Sequence, residues 1–116
     1  MNHKELDVWK KSMDLVTEIY RFSKAFPDEE RFGLTAQIRR AVVSIPSNIA
    51  EGTARKSNKE LLQFISIALG SLAEVETQYL ISIRLGFAEA DNKVVTFITA
   101  VKKLLLGFRN YVQRSE

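Results

Sequence analysis

The side chains that could do chemistry in this sequence fall at helical spacing in two segments. The first row borders an apolar stripe within residues 34–52 and consists of Gln37, Arg40, Ser44, Asn48 and Glu51. The second row lies within residues 60–82 and consists of Glu60, Ser71, Glu74, Gln78 and Ser82. If the two rows face each other, Arg40 or Asn48 would pair with Glu74 and Gln78, in contacts that include a buried arginine–carboxylate pair.

Two roles are open for these facing rows. They could line a binding or catalytic groove, or they could form a hydrogen-bond network that fixes the register of two helices. A polar row that borders a core-facing stripe favours specific hydrogen bonds over a solvated face. We therefore interpret the rows as a structural polar network made of Arg40, Ser44, Asn48, Glu51, Glu74 and Gln78.

Few of the residues that known catalytic sites require are present in this chain. There is one histidine, His3, which lies near the terminus, and there is no cysteine. A serine or cysteine triad and a Glu-x-x-His di-iron site therefore both lack essential groups. The five glycines are isolated, so no phosphate-binding loop is present. We expect that the protein is not an enzyme and that it holds no metal and no cofactor.

Electrostatic binding is the remaining candidate chemistry. The chain has 17 Lys and Arg against 14 Asp and Glu, for a net charge of +3 and a pI near 9.3, which is a mild preference for polyanions. Most basic residues only solvate a surface, but phosphate contacts add up when a subunit repeats around a ring. No aromatic residues are interleaved with the charges, which argues against readout of single-stranded bases. The candidate phosphate contacts are Arg39, Arg55, Lys56 and Lys59.

Prolines and glycines divide the chain into four segments with helical periodicity. They cover residues 6–25, 34–52, 57–86, and 91 onward. No two-residue alternation persists, so strands are not expected. Short loops between helices predict antiparallel neighbours. The sequence therefore predicts a single all-α domain, residues 1–116, folded as an antiparallel up-down-up-down four-helix bundle.

Local signals mark the helix ends. Ser57 and Glu60 form a capping box at the start of the third segment. Gly52 and Gly86 are expected to end the second and third helices. Gly70 lies inside the third helix, where it costs about 1 kcal/mol relative to alanine, so it suggests close approach of another helix.

Pro46 lies deep inside the second segment, where it removes the hydrogen bond to the Val42 carbonyl at a cost of about 3 kcal/mol. One apolar stripe nevertheless runs through it, made of Leu34, Ile38, Ala41, Val42, Ile45 and Ile49. We therefore expect the helix to continue past the proline, with packing that compensates for the lost bond.

The first helix carries two apolar stripes about 120° apart. One repeats at heptad spacing and contains Leu6, Trp9, Met13, Val16 and Tyr20. The other contains Val8, Leu15, Ile19, Phe22 and Phe26. One stripe serves the core of the bundle, while the second either widens that core or contacts another subunit.

Features of membrane and exported proteins are not found. No apolar run approaches the ~18 residues that span a bilayer, and the N-terminal residues lack the apolar core of a signal peptide. The absence of cysteine fits a reducing compartment. We expect a cytoplasmic protein with no membrane partner.

Two stretches carry a specific pattern: Phe26-Pro27 with Glu30-Arg-Phe-Gly-Leu34, and Gln37-Ile-Arg-Arg-Ala-Val-Val-Ser-Ile-Pro-Ser-Asn-Ile-Ala-Glu-Gly52. The pattern continues through Phe64-Ile-Ser-Ile-Ala-Leu-Gly-Ser71 and Leu85-Gly86. It resembles the bacterial four-helix-bundle family named for proteins encoded in intervening sequences of 23S ribosomal RNA genes.

This resemblance implies an up-down bundle that assembles into homopentameric rings. Proteins related to the family include the accessory factor of diversity-generating retroelements, which implies a ring that binds nucleic acid. The resemblance implies no catalytic residues.

Two functions remain open. The first is a non-enzymatic homo-oligomer, forming a ring of five, whose basic surface contacts RNA or DNA. The alternative is an oligomeric scaffold that binds another protein and has no nucleic-acid role. The net charge of +3 does not decide between them.

Overall fold

The chain folds into four helices, and the computed structural model describes residues 1–115. The helices are α1 (Asp7–Ser23), α2 (Leu34–Thr53), α3 (Asn58–Arg84) and α4 (Asn92–Arg114). Short 3-10 turns lie at His3–Glu5 and Asp28–Glu30. No strand occurs in residues 1–115, so the predicted all-α four-helix bundle is confirmed.

Each helix packs against two neighbours, in the order α1, α2, α3, α4 and back to α1. Near the end of α1, Arg21 contacts Asp91 at the start of α4. Near the end of α2, Gly52 contacts Phe64, which lies close to the start of α3. Because the end of one helix meets the start of the next in both pairs, these neighbours run antiparallel.

The interior consists mainly of aliphatic side chains that recur at helical spacing. Removing one such side chain from water contributes about 1.5–3 kcal/mol, so this set supplies most of the driving force for folding. The residues with no exposed surface include Leu15, Ile19, Ile38, Val42, Ile45, Ile49, Ile65, Val75, Val94, Val101 and Leu105.

The two stripes of α1 are buried to different extents. The stripe that enters the core is the one formed by Val8, Leu15, Ile19, Phe22 and Phe26. In the heptad stripe, Leu6, Trp9 and Val16 pack against the edge of the core, while Met13 and Tyr20 remain exposed. Most of the heptad stripe therefore widens the core, and only two of its side chains are left for another subunit.

A larger unpaired apolar surface lies on α3. Leu80 on this helix is 58% exposed. The reason is that Val75 and Tyr79 occupy the inward positions of these turns. Leu80 lies about 100° from Tyr79 and about 140° from Val75 around the helix axis. We call this surface the outer face of α3, defined by the exposed residues Ile67, Leu80, Ile81 and Leu85.

Two glycines have roles other than those predicted. Gly52 was expected to end α2, but it lies inside the helix and is buried. A Cβ atom there would lie 2.8 Å from Cβ of Phe64 and 2.9 Å from Cδ1 of Leu61, so Gly52 is where α2 and α3 approach closely. The close approach expected at Gly70 is wrong, since a Cβ atom there would meet nothing within 4 Å.

The predicted signals at the ends of α3 are largely confirmed. Ser57 Oγ accepts a hydrogen bond from the N–H of Glu60 at 3.2 Å, which is half of the capping box. Gly86 has a positive φ of 75°, and the following N–H of Phe87 donates to the Ser82 carbonyl at 2.8 Å. This is the Schellman arrangement, in which glycine is favoured.

The second helix continues through Pro46, as expected, and the proline is buried. Side chains bond the backbone on both sides of the interruption. Ser47 Oγ donates to the Val43 carbonyl at 2.9 Å, and Asn48 Nδ2 donates to the Ser44 carbonyl at 2.7 Å. These two bonds reach carbonyls of the turn before the proline, although not the Val42 carbonyl, whose donor the proline removes.

Candidate functional site

Three of the basic residues predicted to contact phosphates share the turn between α2 and α3. Arg55 and Lys56 lie in the turn, Lys59 lies in the first turn of α3, and all three are exposed. Arg55 is held only loosely, since its guanidinium lies 3.7 Å from the Glu51 carboxylate and 4.9 Å from the centre of the Phe64 ring. Lys56 and Lys59 form no ion pair within residues 1–115. We call Arg55, Lys56 and Lys59 the tip cluster.

The start of α3 adds a positive field to the tip cluster. The first N–H groups of a helix have no acceptor inside it, and the helix dipole places a partial positive charge there. Ser57 Oγ accepts the hydrogen bond of the Glu60 N–H. The N–H groups of Asn58 and Lys59 therefore remain available to solvent or an anion. Backbone donors at a helix start together with flexible cations are a combination that binds phosphate.

The tip cluster belongs to the more basic end of the bundle. Because neighbouring helices are antiparallel, this end also includes the start of α1 and the end of α4. Its basic residues are Lys4, Lys10, Arg55, Lys56, Lys59 and Arg114. Its acidic residues are fewer: Glu5, Asp7, Glu51 and Glu60. The opposite end holds the two other loops, where the acidic residues Asp28, Glu29, Glu30, Glu89 and Asp91 are matched by the basic residues Arg21, Lys24, Arg31, Arg84 and Lys93.

Arg39 lies away from the tip cluster. It precedes Arg55 by 16 residues on the same side of the turn, which corresponds to about 24 Å of helix. Its Nε donates to Ser23 Oγ at 2.9 Å, and its guanidinium lies 4.7 Å from the centre of the Tyr20 ring. Arg39 therefore joins the end of α1 to α2, instead of lying on the predicted phosphate surface.

The polar rows of α2 and α3 do face each other, but neutral groups join them. The Ser44 and Ser71 hydroxyls are 2.7 Å apart, and Gln78 Nε2 lies 3.5 Å from Gln37 Oε1. Asn48 Nδ2 donates to Ser44 Oγ at 2.9 Å, within α2. Of the predicted network, Ser44, Asn48 and Gln78 thus take part in hydrogen bonds along this contact.

The predicted buried pair of Arg40 and Glu74 is not formed. Both side chains are exposed, and no ion pair joins them in the described part of the chain. The hydroxyls of Ser44 and Ser71 occupy the positions nearest the core. Because they are neutral, no charge is removed from water there. Glu51 also lies outside the network, since it contacts Arg55 at the surface.

A second polar network at the opposite end was not predicted. Glu18 is buried on α1 and accepts from Nε of Arg21 at 2.9 Å, and Lys93 Nζ lies 3.6 Å from its other oxygen. Arg21 Nη2 also donates to Asp91 Oδ2 at 2.9 Å. Tyr79 OH accepts the N–H of Asp91 at 2.8 Å. We call these five residues the clasp, because they join α1, α3 and α4.

Asp91 is the centre of the clasp. Its Oδ1 caps α4 by accepting from the N–H groups of Lys93 at 3.0 Å and Val94 at 3.2 Å. The hydrogen bond from Arg21 lowers the pKa of the Asp91 carboxyl, and the same bond raises the pKa of the Arg21 guanidinium. Asp91 and Arg21 are therefore both charged at neutral pH. The sequence placed the start of the fourth segment at residue 91, whereas the contacts of Asp91 with α1 and α3 carry no local signal.

Other site types have no support in the described chain. Within residues 1–115, no three His, Asp or Glu side chains gather closely enough to hold a metal ion. None of the helices in that range is long and apolar enough to cross a bilayer. His3 packs edge-on against Trp9, with ring centres 5.3 Å apart.

Comparisons with known proteins agree with this architecture. The chain is similar to a crystal structure of a protein of unknown function from the S23 ribosomal protein family of Bacteroides thetaiotaomicron, with a TM-score of 0.79 and 26% sequence identity. The alignment covers 88% of this chain and 97% of the other. No curated protein matches the sequence. The family model described as 23S rRNA-intervening sequence protein matches residues 4–107, and the chain therefore belongs to that family.

Proposed function

We propose that this protein is a non-enzymatic four-helix bundle that assembles in the cytoplasm as a ring of five copies and binds RNA or DNA through its tip cluster. The observation that carries the proposal is the meeting of three exposed cations, Arg55, Lys56 and Lys59, at the start of α3. One tip offers few phosphate contacts, so useful affinity depends on several copies acting together.

The outer face of α3 supports the assembly step. Its four side chains are between 40% and 59% exposed, and apolar patches of this kind mark protein contacts. A closed ring would cover such a face and repeat the tip cluster in every subunit. Light scattering should then give a mass near five times 13.2 kDa, whereas a monomer at micromolar concentration would contradict the ring.

The tip cluster is suited to phosphates more than to bases. Its members are cations that act on the charge of the backbone, and base-specific readout requires side chains that reach base edges. Binding should therefore vary little with sequence and weaken steeply as salt rises.

The test is fluorescence anisotropy with a labelled RNA hairpin and a labelled DNA duplex. Replacing Arg55, Lys56 and Lys59 together by glutamine should weaken binding at least about tenfold at ~50 mM salt, because each subunit loses three phosphate partners. The oligomer should stay intact, as the three side chains are exposed.

The matched control removes the same charge from the other end of the bundle. Lys24, Arg31 and Arg84 are also exposed, and their replacement by glutamine should leave affinity close to that of the wild type. Equal losses in the two triple variants would mean that only net charge matters, and would overturn the tip cluster as the interface.

A protein-binding scaffold is the second candidate, and the outer face of α3 favours it. In that case neither nucleic acid should bind at ~50 mM salt, where phosphate contacts are strongest. A Leu80→Lys change on the outer face should then abolish capture of the partner, while the tip variant should keep it.

A further inference from the structure

A cleft on the surface of the bundle lies between α2 and α3, away from the tip cluster. The Ser44–Ser71 hydrogen bond closes one end, and the Gln37–Gln78 contact crosses it about 10 Å further along. Its volume of about 430 Å³ lies in the range of small-molecule sites. We call it the polar cleft, and its polar lining is Gln37, Arg40, Ser44, Ser71, Glu74 and Gln78.

Two opposite charges line the polar cleft without neutralising each other. Arg40 belongs to the α2 wall and Glu74 to the α3 wall. Both are exposed, and neither forms an ion pair within residues 1–115. The donors of the guanidinium and the acceptors of the carboxylate are therefore both available to a ligand.

Gln78 supplies a third, independent sign of a binding site. The residue is only 9% exposed, and its Oε1 has no hydrogen-bond partner among residues 1–115. Its Nε2 donates to Oε1 of Gln37 across 3.5 Å, which is the upper limit of distance for a hydrogen bond. Because that bond is weak, little is lost when the amide turns and offers its oxygen to a donor in the cleft.

Beside the Gln37–Gln78 contact, the cleft adjoins a partly apolar surface. A second depression of about 340 Å³ shares Gln37, Glu74 and Gln78 with the first. Its other lining includes the apolar residues Leu34, Ala73 and Ile81, with Gly70 at the edge. A Cβ atom at Gly70 would meet nothing within 4 Å, so the helix surface is open at this point.

We propose that the polar cleft binds a free α-amino acid with an aliphatic side chain. Arg40 binds the carboxylate of the ligand, and Glu74 binds the ammonium, for which Gln78 Oε1 is a second acceptor. The side chain of the ligand lies on Leu34 and Ala73. A nucleobase fits less well, because no aromatic side chain of the described residues lines the cleft for stacking. An ion of a single charge leaves either Arg40 or Glu74 unmatched.

The first test is a titration of the isotope-labelled full chain with L-leucine, followed by amide signals in NMR spectra. Leucine should shift the amides of residues 37–44 and 71–78 with a dissociation constant of order 1 mM, as expected for a small ligand in an open cleft. Two analogues that each lack one charge, 4-methylpentanoate and 3-methylbutylamine, should bind about tenfold more weakly.

Two exposed cleft residues allow each charge to be tested separately. Arg40→Gln should weaken the binding of leucine about tenfold and leave the affinity for 3-methylbutylamine unchanged. Glu74→Gln should weaken the binding of leucine and leave the affinity for 4-methylpentanoate unchanged. The control variants Arg31→Gln and Glu76→Gln alter exposed charges outside the cleft and should bind leucine as the wild type does.

The proposal is overturned if leucine, isoleucine, valine and methionine all leave the cleft amides unshifted at ~10 mM, well above the expected dissociation constant. It is also overturned if cleft and control variants lose affinity equally. The outcome is independent of the tip cluster, because Arg40→Gln should not alter the anisotropy titrations beyond the small effect of one charge.

Discussion

The two ends of the bundle use their charges in opposite ways. At the clasp, Arg21 contacts both Glu18 and Asp91 at 3 Å or less, and these contacts hold the end of α1 against the start of α4. At the tip cluster, Lys56 and Lys59 have no ionic partner within the described residues. Paired charges fix structure, and unpaired cations can turn toward a ligand at little cost.

Arg39 and Arg55 show the same difference on a single helix and its exit turn. Arg39 donates hydrogen bonds to Ser23 and Tyr20 and lies over the Tyr20 ring. Arg55 lies over the Phe64 ring and 3.7 Å from exposed Glu51, but its side chain donates no hydrogen bond within residues 1–115. The partners of a cation, and not its residue type, therefore separate the structural arginines from those available for binding.

The largest expected effect on stability tests whether α2 and α3 pack closely next to the tip cluster. Gly52→Ala should lower the free energy of unfolding by about 1–3 kcal/mol, because the new Cβ atom overlaps Phe64 and Leu61. Urea unfolding measures this change. Gly107→Ala is the control, since a Cβ atom there meets nothing within 4 Å, and it should stabilise by about 0.5–1 kcal/mol. Equal effects at both glycines would refute close packing below the tip.

The next effect concerns the clasp. Asp91→Ala removes the cap of α4 and the partner of Arg21, and should cost about 1–2 kcal/mol in urea unfolding. Asp28→Ala alters an exposed carboxylate at the same end and should stay within about 0.5 kcal/mol of the wild type. A clasp without structural value would give the same small change in both variants.

The clasp should also give the stability of the protein a specific pH dependence. The pKa of Asp91 is lowered in the folded state, so its contribution is fully present above the unfolded value, about 3.9. It is lost as pH falls through the lower folded pKa. Between pH 7 and pH 2 the wild type should therefore lose more stability than Asp91→Ala, as thermal unfolding at each pH can show.

The smallest effect on stability is expected at the polar cleft. Glu74 is exposed and forms no ion pair in the described chain, so Glu74→Ala should change the free energy of unfolding by less than ~0.5 kcal/mol. A loss of about 3–5 kcal/mol would instead indicate the buried pair with Arg40 that the sequence suggested.

Helix positions were predictable because their signals are local. Ser57 and Gly86 mark the ends of α3 through bonds within a few residues, and helical spacing alone selects the core stripes of α1 and α2. The close approach at Gly52 was not predictable, since it depends on which turn of α3 lies opposite.

The site was predictable only in part, for the same reason. The facing of the polar rows follows from their periodicity, but the depth to which each side chain reaches depends on the packing of α2 on α3. The clasp unites Arg21 with a carboxylate 70 residues away, and nothing in the local sequence of either residue indicates that contact.

The salt dependence of RNA affinity tests the central claim most directly. A plot of log affinity against log salt has a slope of about −0.7 to −0.9 per phosphate neutralised. The wild type and the Lys24, Arg31 and Arg84 glutamine variant should share one steep slope. The Arg55, Lys56 and Lys59 glutamine variant should be flatter by at least about one unit, as several contacts are lost. A slope that the tip substitutions leave unchanged would contradict the tip cluster as the nucleic-acid interface.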